Sequence, residues 1–518
     1  MKFAAVKRIF PSWKNALLAV LAAVLLILAF PDFEYWFLAW FALVPLMLAV
    51  EREKESIVRS FVTGWIFGTI FFFGTCWWLT YAPINYAGFP PWLAYSGMVL
   101  IALAVGVFPA IFAAILAVSL RRFGSWAFLA APFVWVFTEF LRYWLTGNNW
   151  NAIGYAQAFD NLLLPMARIG GVFLVSWTCA AFTGALIFAI VKGLSIATFR
   201  RSIPLFLILA FVWSVDFIDK NTRVWQKGDI AVKVVAIQPN VPMDGLDYQK
   251  YQQLRQNQID LAEAEIKKLP TANRLPTTVI LPESPMNFMY NDDREFQQFI
   301  GDFATRNNVS VLFNSAEPDA TNGKYFNSAV MVGPDGREVA QYDKIFLLPF
   351  GEAVPPLLEG LVPGFVGNFS YGGEYDILPV GDAKAGVMIC FESHFGQLSR
   401  QYVLNGADVI IEMTNDGYLG PTPILRQHLA NAVFRAVETN RPVLRVTNVG
   451  VTAYINERGS VIDPAPTYAE ATRVWRVLKS DGSQTFYVKY GDWFAWLCSL
   501  VTIALLLMSF RRRANASA

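Results

Sequence analysis

Hydrophobic positions fall into two regimes along the chain. Up to about residue 220 they run almost without interruption. From about 222 to 488 they come in short runs between polar stretches, and a last apolar run covers 492–510. A helix that crosses a bilayer needs roughly 20 apolar residues, within about 17–25. By that measure spans are expected near 16–30, 33–50, 61–80, 93–119, 126–146, 165–191 and 203–218, with an eighth near 492–510. The first and seventh are short. The first is followed directly by a second apolar run and carries no small-residue cleavage site, unlike a removable signal.

The middle block changes period. Runs at 230–237, 277–281, 309–314, 407–413 and 442–447 have the length and β-branched content of buried strands. Ser328–Val332 and Gly336–Tyr342 predict a hairpin across Pro334-Asp335-Gly336. Leu254, Ile259, Leu261 and Ile266 give helical spacing within 249–268, and further helices are expected at 296–305 and about 422–440. Strands alternating with helices predict a layered α/β domain. About 265 residues are enough to bury a full core, and no repeat of 20–50 residues is evident. The chain thus reads as an α+β membrane protein with about eight spans. The expected divisions are 1–221 with about seven spans, an extramembrane domain at 222–488, and a last span with a basic tail at 489–518.

Composition and charge refine the setting. Of 518 residues, 55% are hydrophobic and only 16% charged, against about 25% in soluble domains. The 17 Trp and 43 Phe suit lipid-facing helices and interfacial belts. The net charge of +2 comes without a basic run of the kind that holds nucleic acid, so no nucleic-acid partner is expected. Lys and Arg alternate between loops. They occur at Lys2, Lys7, Arg8 and Lys14, at Arg52, Lys54 and Arg59, at Arg121 and Arg122, at Lys192, Arg200 and Arg201, and at Arg511, Arg512 and Arg513. The loops 31–32, 81–92 and 147–164 contain none. Positive loops stay in the cytoplasm, so both termini are expected there. The block 222–488 is then expected on the opposite, periplasmic face of a bacterial inner membrane.

Three reactive side chains close strands of this block: Glu283 after Val279-Ile280-Leu281-Pro282, Lys344 after Val339–Asp343, and Cys390 after Val387-Met388-Ile389. In α/β proteins chemistry gathers at such strand ends. A thiol attacks as the thiolate and needs a base. Glu283 fits that base if burial raises its pKa. Lys344, with the backbone N–H of Phe391, fits an oxyanion site. Glu352 fits a partner for Lys344 or an assistant to the base, and Glu392 lies two residues beyond the thiol. Each has a plainer reading alone: an inert buried thiol, a capping carboxylate, a solvated lysine, a turn residue. His394, four residues after Cys390, adds a Cys–His reading. Cys76, Cys179 and Cys498 fall in apolar spans, leaving Cys390 without a disulfide partner in the polar block. With two histidines and no Cys/His cluster, no metal is expected, and no cofactor-binding motif is evident.

The order Pro282-Glu283-Ser284, Tyr342-Asp343-Lys344, Leu348-Pro349-Phe350-Gly351-Glu352 and Cys390-Phe391-Glu392 resembles the nitrilase superfamily. That resemblance implies an αββα sandwich and a Glu283–Lys344–Cys390 triad. Thr414-Asn415-Asp416-Gly417 and the stretch Arg441–Gly450 narrow it. So do Thr138-Glu139-Phe140-Leu141-Arg142, Asn149-Trp150 and Gly154-Tyr155-Ala156-Gln157 in the apolar part. Together these resemble the apolipoprotein N-acyltransferase family over nearly the full length. The resemblance implies ping-pong transfer of an sn-1 acyl chain from a phospholipid, usually phosphatidylethanolamine, through a thioester on Cys390. The acceptor is the α-amine of a diacylglyceryl-cysteine apolipoprotein. Two departures stand out: Phe391 where the family often has Tyr, and Gly417-Tyr418-Leu419-Gly420 where it often has an aromatic Trp-Phe pair. Glu139 and Arg142, ionisable within a span, are either a structural ion pair or substrate-binding. Trp150 and Tyr155 are expected as interface anchors or substrate contacts, and Asn415 and Tyr418 near the site are counted with the substrate-binding set. The rival readings are a membrane-anchored amidase acting on a small amide, and a transporter or receptor carrying an inert domain.

Overall fold

The computed structural model describes residues 9–160, 162–193, 229–269, 275–349, 351–354 and 369–510, with scattered positions between 203 and 217. The expected span at 203–218 and the basic tail therefore lie largely outside the described residues. The chain groups into two compact units. One is Met1–Arg223 with Thr422–Gln427 and Tyr490–Ala518; the other is Val224–Pro421 with His428–Lys489.

The first unit is helical. Among the described residues, four of its stretches are long and apolar enough to cross a membrane: Ile57–Asn85, Pro91–Thr146, Leu164–Lys192 and Trp493–Phe510; Trp13–Ala29 is a shorter apolar helix. The run expected to span 33–50 instead forms a 3-10 turn, Trp36–Trp40, and a short helix, Leu43–Glu53. The stretch expected at 93–119 is interrupted at Gly106, between the helices Pro91–Val105 and Val107–Phe123. Pro109 has no N–H to offer the carbonyl of Val105, which removes a helical hydrogen bond there. The same region packs closely against Ile57–Cys76. A Cβ on Gly64 would collide with the Pro109 carbonyl oxygen, and one on Gly68 would lie 2.9 Å from the Gly106 Cα. Small residues let helix backbones approach where lipid supplies no hydrophobic drive.

The second unit is a pair of sheets with helices. The strands in chain order are β1 (Ile230–Gln238), β2 (Thr277–Ile280), β3 (Ser310–Pro318), β4 (Tyr325–Val332), β5 (Glu338–Asp343), β6 (Phe369–Ser370) and β7 (Ile377–Val380). They continue as β8 (Ala383–Ile389), β9 (Val409–Thr414), β10 (Val443–Thr447), β11 (Ala453–Ile455), β12 (Val461–Ile462) and β13 (Ala471–Leu478). One sheet runs β13-β1-β2-β3-β4-β5, with β6 beside β4; the other runs β12-β11-β10-β9-β8-β7. The pairs β1–β2, β2–β3, β8–β9 and β9–β10 are parallel. Their crossovers carry the helices Tyr248–Lys268, Arg294–Asn307, Gly396–Leu404 and Ile424–Thr439.

One core lies between the first sheet and its helices. Val235, Val279, Val311, Phe313 and Val330 pack there with Ile259, Ala262, Phe296, Ile300 and Phe303. On the second sheet, Gly386 of β8 lets the side chain of Tyr402 pack directly against the strand, where a Cβ would overlap its ring atoms. The Tyr402 hydroxyl donates to the Val387 carbonyl at 2.6 Å. This αββα sandwich brings the ends of β2, β5 and β8 into one neighbourhood.

Candidate active site

Cys390 opens a 3-10 turn, Cys390–His394, directly at the end of β8. Its φ of 54° is left-handed, a conformation costing an L-residue about 1–2 kcal/mol and typical of strained functional turns. The residue as a whole is half-buried. Burial and the Glu283 carboxylate push it well above the ordinary thiol range, against Lys344 and a hydrogen bond from Thr414. At rest it is a protonated thiol that needs a base.

Lys344 follows β5 and is almost fully buried. Its Nζ lies 2.8 Å from Glu352 Oε1 and 3.9 Å from Glu283 Oε1. Burial alone would lower this ammonium, but the Glu352 and Glu283 carboxylates outweigh it and hold it above its ordinary value, so it stays charged. Glu352 Oε2 accepts from Leu348 N at 2.7 Å, which anchors the loop around it. Glu283 is raised, chiefly by burial and then by Glu352; Lys344, Asn327 and the Asn415 N–H act against this. Asn327 Nδ2 reaches both carboxylates, at 3.2 Å to Glu283 Oε1 and 2.6 Å to Glu352 Oε1. Asn314 Nδ2 donates to Asn327 Oδ1 at 2.7 Å and fixes which end of that amide faces the acids.

Glu392 works behind the site. Its Oε1 accepts from Tyr342 Oη at 2.7 Å, Ile345 N at 2.8 Å and Phe346 N at 3.0 Å, and its Oε2 from Ile389 N at 2.9 Å. One carboxylate thus ties the turn after Lys344 to the strand end before Cys390. Burial pushes it up to about 7, against Lys344 and its N–H donors. The Phe391 ring lies against His394 and Phe395, with centroids 5.8 and 5.2 Å apart. Phe391 stands in the first turn, where backbone N–H groups have no intrahelical acceptor.

The residues expected to bind substrate fall into two groups. Asn415 N donates to Glu283 Oε2 at 2.9 Å, and its Oδ1 accepts from Asn448 Nδ2 at 3.2 Å. Tyr418 is 44% exposed in the adjoining turn. Glu139, Arg142, Trp150 and Tyr155 lie in the helical unit and are all buried. Glu139 Oε1 accepts from Trp135 Nε1 and Ile153 N, and Arg142 Nη1 donates to the Trp150 carbonyl. The indole of Trp150 donates to Gln427 Oε1 at 3.0 Å and packs edge-on against Trp78. These contacts brace helix ends, and the burial of Trp150 and Tyr155 departs from the exposure expected of interface anchors.

Sequence reading missed Asn327 and a buried group beneath Cys390. Arg445 of β10 pairs with Glu412 of β9 and, at 2.7 Å, with Asp416 Oδ2. Opposite charges at the centres of two otherwise apolar strands were the available signal, but pairing them needs the β9–β10 register, which sets Arg445 opposite Glu412. Among the described residues no group of three or more His, Cys, Asp or Glu is arranged to hold a metal ion.

Residues 22–186 match the model of the apolipoprotein N-acyltransferase N-terminal domain, and 275–481 match that of the carbon-nitrogen hydrolases. An apolipoprotein N-acyltransferase of Geobacter metallireducens is 31% identical over 96% of each chain. Another, of Thermotoga maritima, is 29% identical over 96% of this chain and 94% of that one. The crystal structure of Saccharomyces cerevisiae Nit3, a member of branch 10 of the nitrilase superfamily, aligns at 18% identity with 49% of this chain and 92% of its own, at a TM-score of 0.39.

Proposed function

The chain belongs to the apolipoprotein N-acyltransferase family, membrane acyltransferases that N-acylate lipoproteins, and on that premise we propose that it transfers the acyl group through a thioester on Cys390. Glu283 takes the thiol proton, and Sγ attacks the carbonyl carbon of a phospholipid acyl ester, phosphatidylethanolamine being the expected donor. The charge on the carbonyl oxygen falls to Lys344 Nζ and the Phe391 N–H. As the tetrahedral intermediate collapses, the ester C–O bond breaks and Glu283 returns its proton to the departing lysophospholipid oxygen. In the second half the α-amine of a diacylglyceryl-cysteine attacks the thioester, Glu283 accepts its proton, and the thiol leaves reprotonated. Glu352 and Asn327 hold Lys344 and Glu283 in place, and Glu392 holds the two turns together. Asn415 and Tyr418 line the substrate side, with 222–488 as the catalytic domain on the periplasmic face and both termini cytoplasmic.

The observation that carries this reading is the charge arrangement. A buried ammonium kept charged by two carboxylates stands beside a neutral thiol and a carboxyl whose pKa burial has raised. That set moves one proton between Glu283 and successive leaving groups without a permanent thiolate. The test is intact-mass spectrometry of the detergent-solubilised protein after incubation with phosphatidylethanolamine alone. An acyl adduct is expected on Cys390, released by hydroxylamine, absent as a thioester in Cys390→Ser, and discharged by a diacylated lipopeptide amine. A folded protein that gives no adduct, or whose activity survives loss of Cys390, would overturn it and favour hydrolysis of a small amide.

A further inference from the structure

The carbonyl of Cys390 is itself held. His428, on the helix Ile424–Thr439, places Nε2 2.9 Å from the Cys390 carbonyl oxygen and Nδ1 2.7 Å from Asp416 Oδ1. Glu412 Oε1 also lies 3.2 Å from Nε2. Both ring nitrogens therefore face oxygen acceptors. A carbonyl only accepts, so Nε2 carries the hydrogen that reaches the Cys390 oxygen. The other ring nitrogen faces Asp416, whose carboxyl burial would raise but Arg445 chiefly holds below its ordinary range.

The Cys390 carbonyl and the Phe391 N–H belong to a single peptide group, whose resonance links the two ends. A donor on the carbonyl oxygen draws electron density from nitrogen and makes the N–H a stronger donor, the cooperative effect seen along hydrogen-bond chains. We propose that His428 is a positioning residue for acyl transfer: oriented by Asp416, it polarises the Cys390–Phe391 peptide, sharpens the oxyanion donor at Phe391 and holds the left-handed turn that presents Sγ. His428 makes no bond to the substrate and exchanges no proton with it. The chain Arg445–Asp416–His428–peptide–oxyanion assigns a purpose to charges that β9 and β10 bury at the back of the nucleophile. Gly450 belongs to the same construction, since a Cβ there would collide with Asp416 Oδ2.

This inference rests on Cys390 as the acylated residue, and its test separates the two. The full-length protein in detergent is acylated with phosphatidylethanolamine labelled with ¹³C at the acyl carbonyl. The thioester carbonyl stretch is read by infrared difference spectroscopy, and the acylation rate and KM are measured alongside. His428→Leu removes the donor; His428→Gln keeps an N–H of similar reach. Leu is expected to lower the acylation rate roughly tenfold at unchanged KM, less than the direct loss of an oxyanion donor, and to move the carbonyl band to higher frequency. Gln is expected to recover most of both. If His428→Leu does not fold, Asp416→Asn, which leaves the ring but takes away its carboxylate, is expected to move the band in the same direction. A band and rate unmoved in folded His428→Leu would overturn the proposal. So would equal rate losses in Leu and Gln with the band at its wild-type position, which is what a purely structural residue gives. In both cases the wild-type adduct on Cys390 stands. A wild-type protein without that adduct would overturn the nucleophile assignment and this proposal with it.

Discussion

At the scale of single residues, the site is a problem of keeping one proton mobile among buried charges. Glu283 is raised above its ordinary value, so the acid limb of kcat/KM for acylation is expected above the usual glutamate range, with the rate rising as pH passes through it. Asn327 holds Glu283 down through its amide hydrogen bond. Asn327→Ala is therefore expected to shift that limb to higher pH; a limb that stays put or moves down would sink the assignment of Glu283 as the base. Lys344→Met retains bulk but removes the charge, and is expected to slow thioester formation by about 10²–10³-fold, the usual cost of an oxyanion donor, measured as single-turnover adduct formation. Glu392 makes a prediction about stability. Its folded pKa of about 7 lies above the value of an unfolded glutamate. The folded state therefore binds the extra proton, and stability declines as pH rises from about 4.3 towards 7, by about 3 kcal/mol over the window. Raised Glu283 adds to the same slope, while lowered Asp416 acts only below the ordinary aspartate range. Glu392→Gln faces Ile389 N–H with an amide and loses that bond, so it is less stable than wild type in acid, and the gap narrows towards pH 8. Unfolding midpoints against pH for the two proteins check this, and parallel curves would refute it.

At the scale of elements, local period is what made features legible in the sequence. Glu283, Lys344 and Cys390 were visible because each ends an apolar run, and β1, β2, β3, the β4–β5 hairpin, β9 and β10 lie where alternation and β-branched residues put them. β13 was not visible. It pairs antiparallel with β1 along nearly its whole length, yet at this sheet edge the buried Trp475 and Val477 alternate with exposed Val474 and Arg476, so burial alternates where apolar and polar residue types do not. Asn327, Glu412 and His428, and the roles of Asp416 and Arg445 within their quoted stretches, escaped for another reason: their meaning lies in pairings between strands and helices distant in sequence. The packing of β8 shows how much local geometry such pairings demand. Gly386→Ala would drive a Cβ into the Tyr402 ring, and overpacking of this kind costs about 1–3 kcal/mol. The variant is expected to unfold at a lower temperature, followed by intrinsic fluorescence in detergent; an unchanged midpoint would mean that the helix Gly396–Leu404 lifts freely from the strand.

At the scale of the whole molecule, the chemistry of a nitrilase-like unit is joined to helices that meet lipid. Large apolar side chains such as Trp13, Leu100, Trp144, Leu145, Leu500 and Leu507 are exposed along those helices, whereas soluble proteins rarely expose large apolar patches. The donor and the acceptor of the reaction are both anchored in the same two-dimensional phase. Confinement replaces bulk concentration with surface concentration, which raises encounter without a new contact. The kinetic consequence is specific. In mixed micelles at fixed bulk phosphatidylethanolamine, adding inert detergent dilutes the donor on the surface while leaving its bulk concentration constant. Acylation of Cys390 is expected to fall in proportion to the surface mole fraction, and to be restored when donor and detergent rise together. An enzyme that drew a small amide from water would instead follow bulk substrate and ignore the detergent. A rate independent of mole fraction, in protein that still forms the Cys390 adduct, would mean that the helical unit only anchors the catalytic one and that donor lipid reaches the thiol from solution.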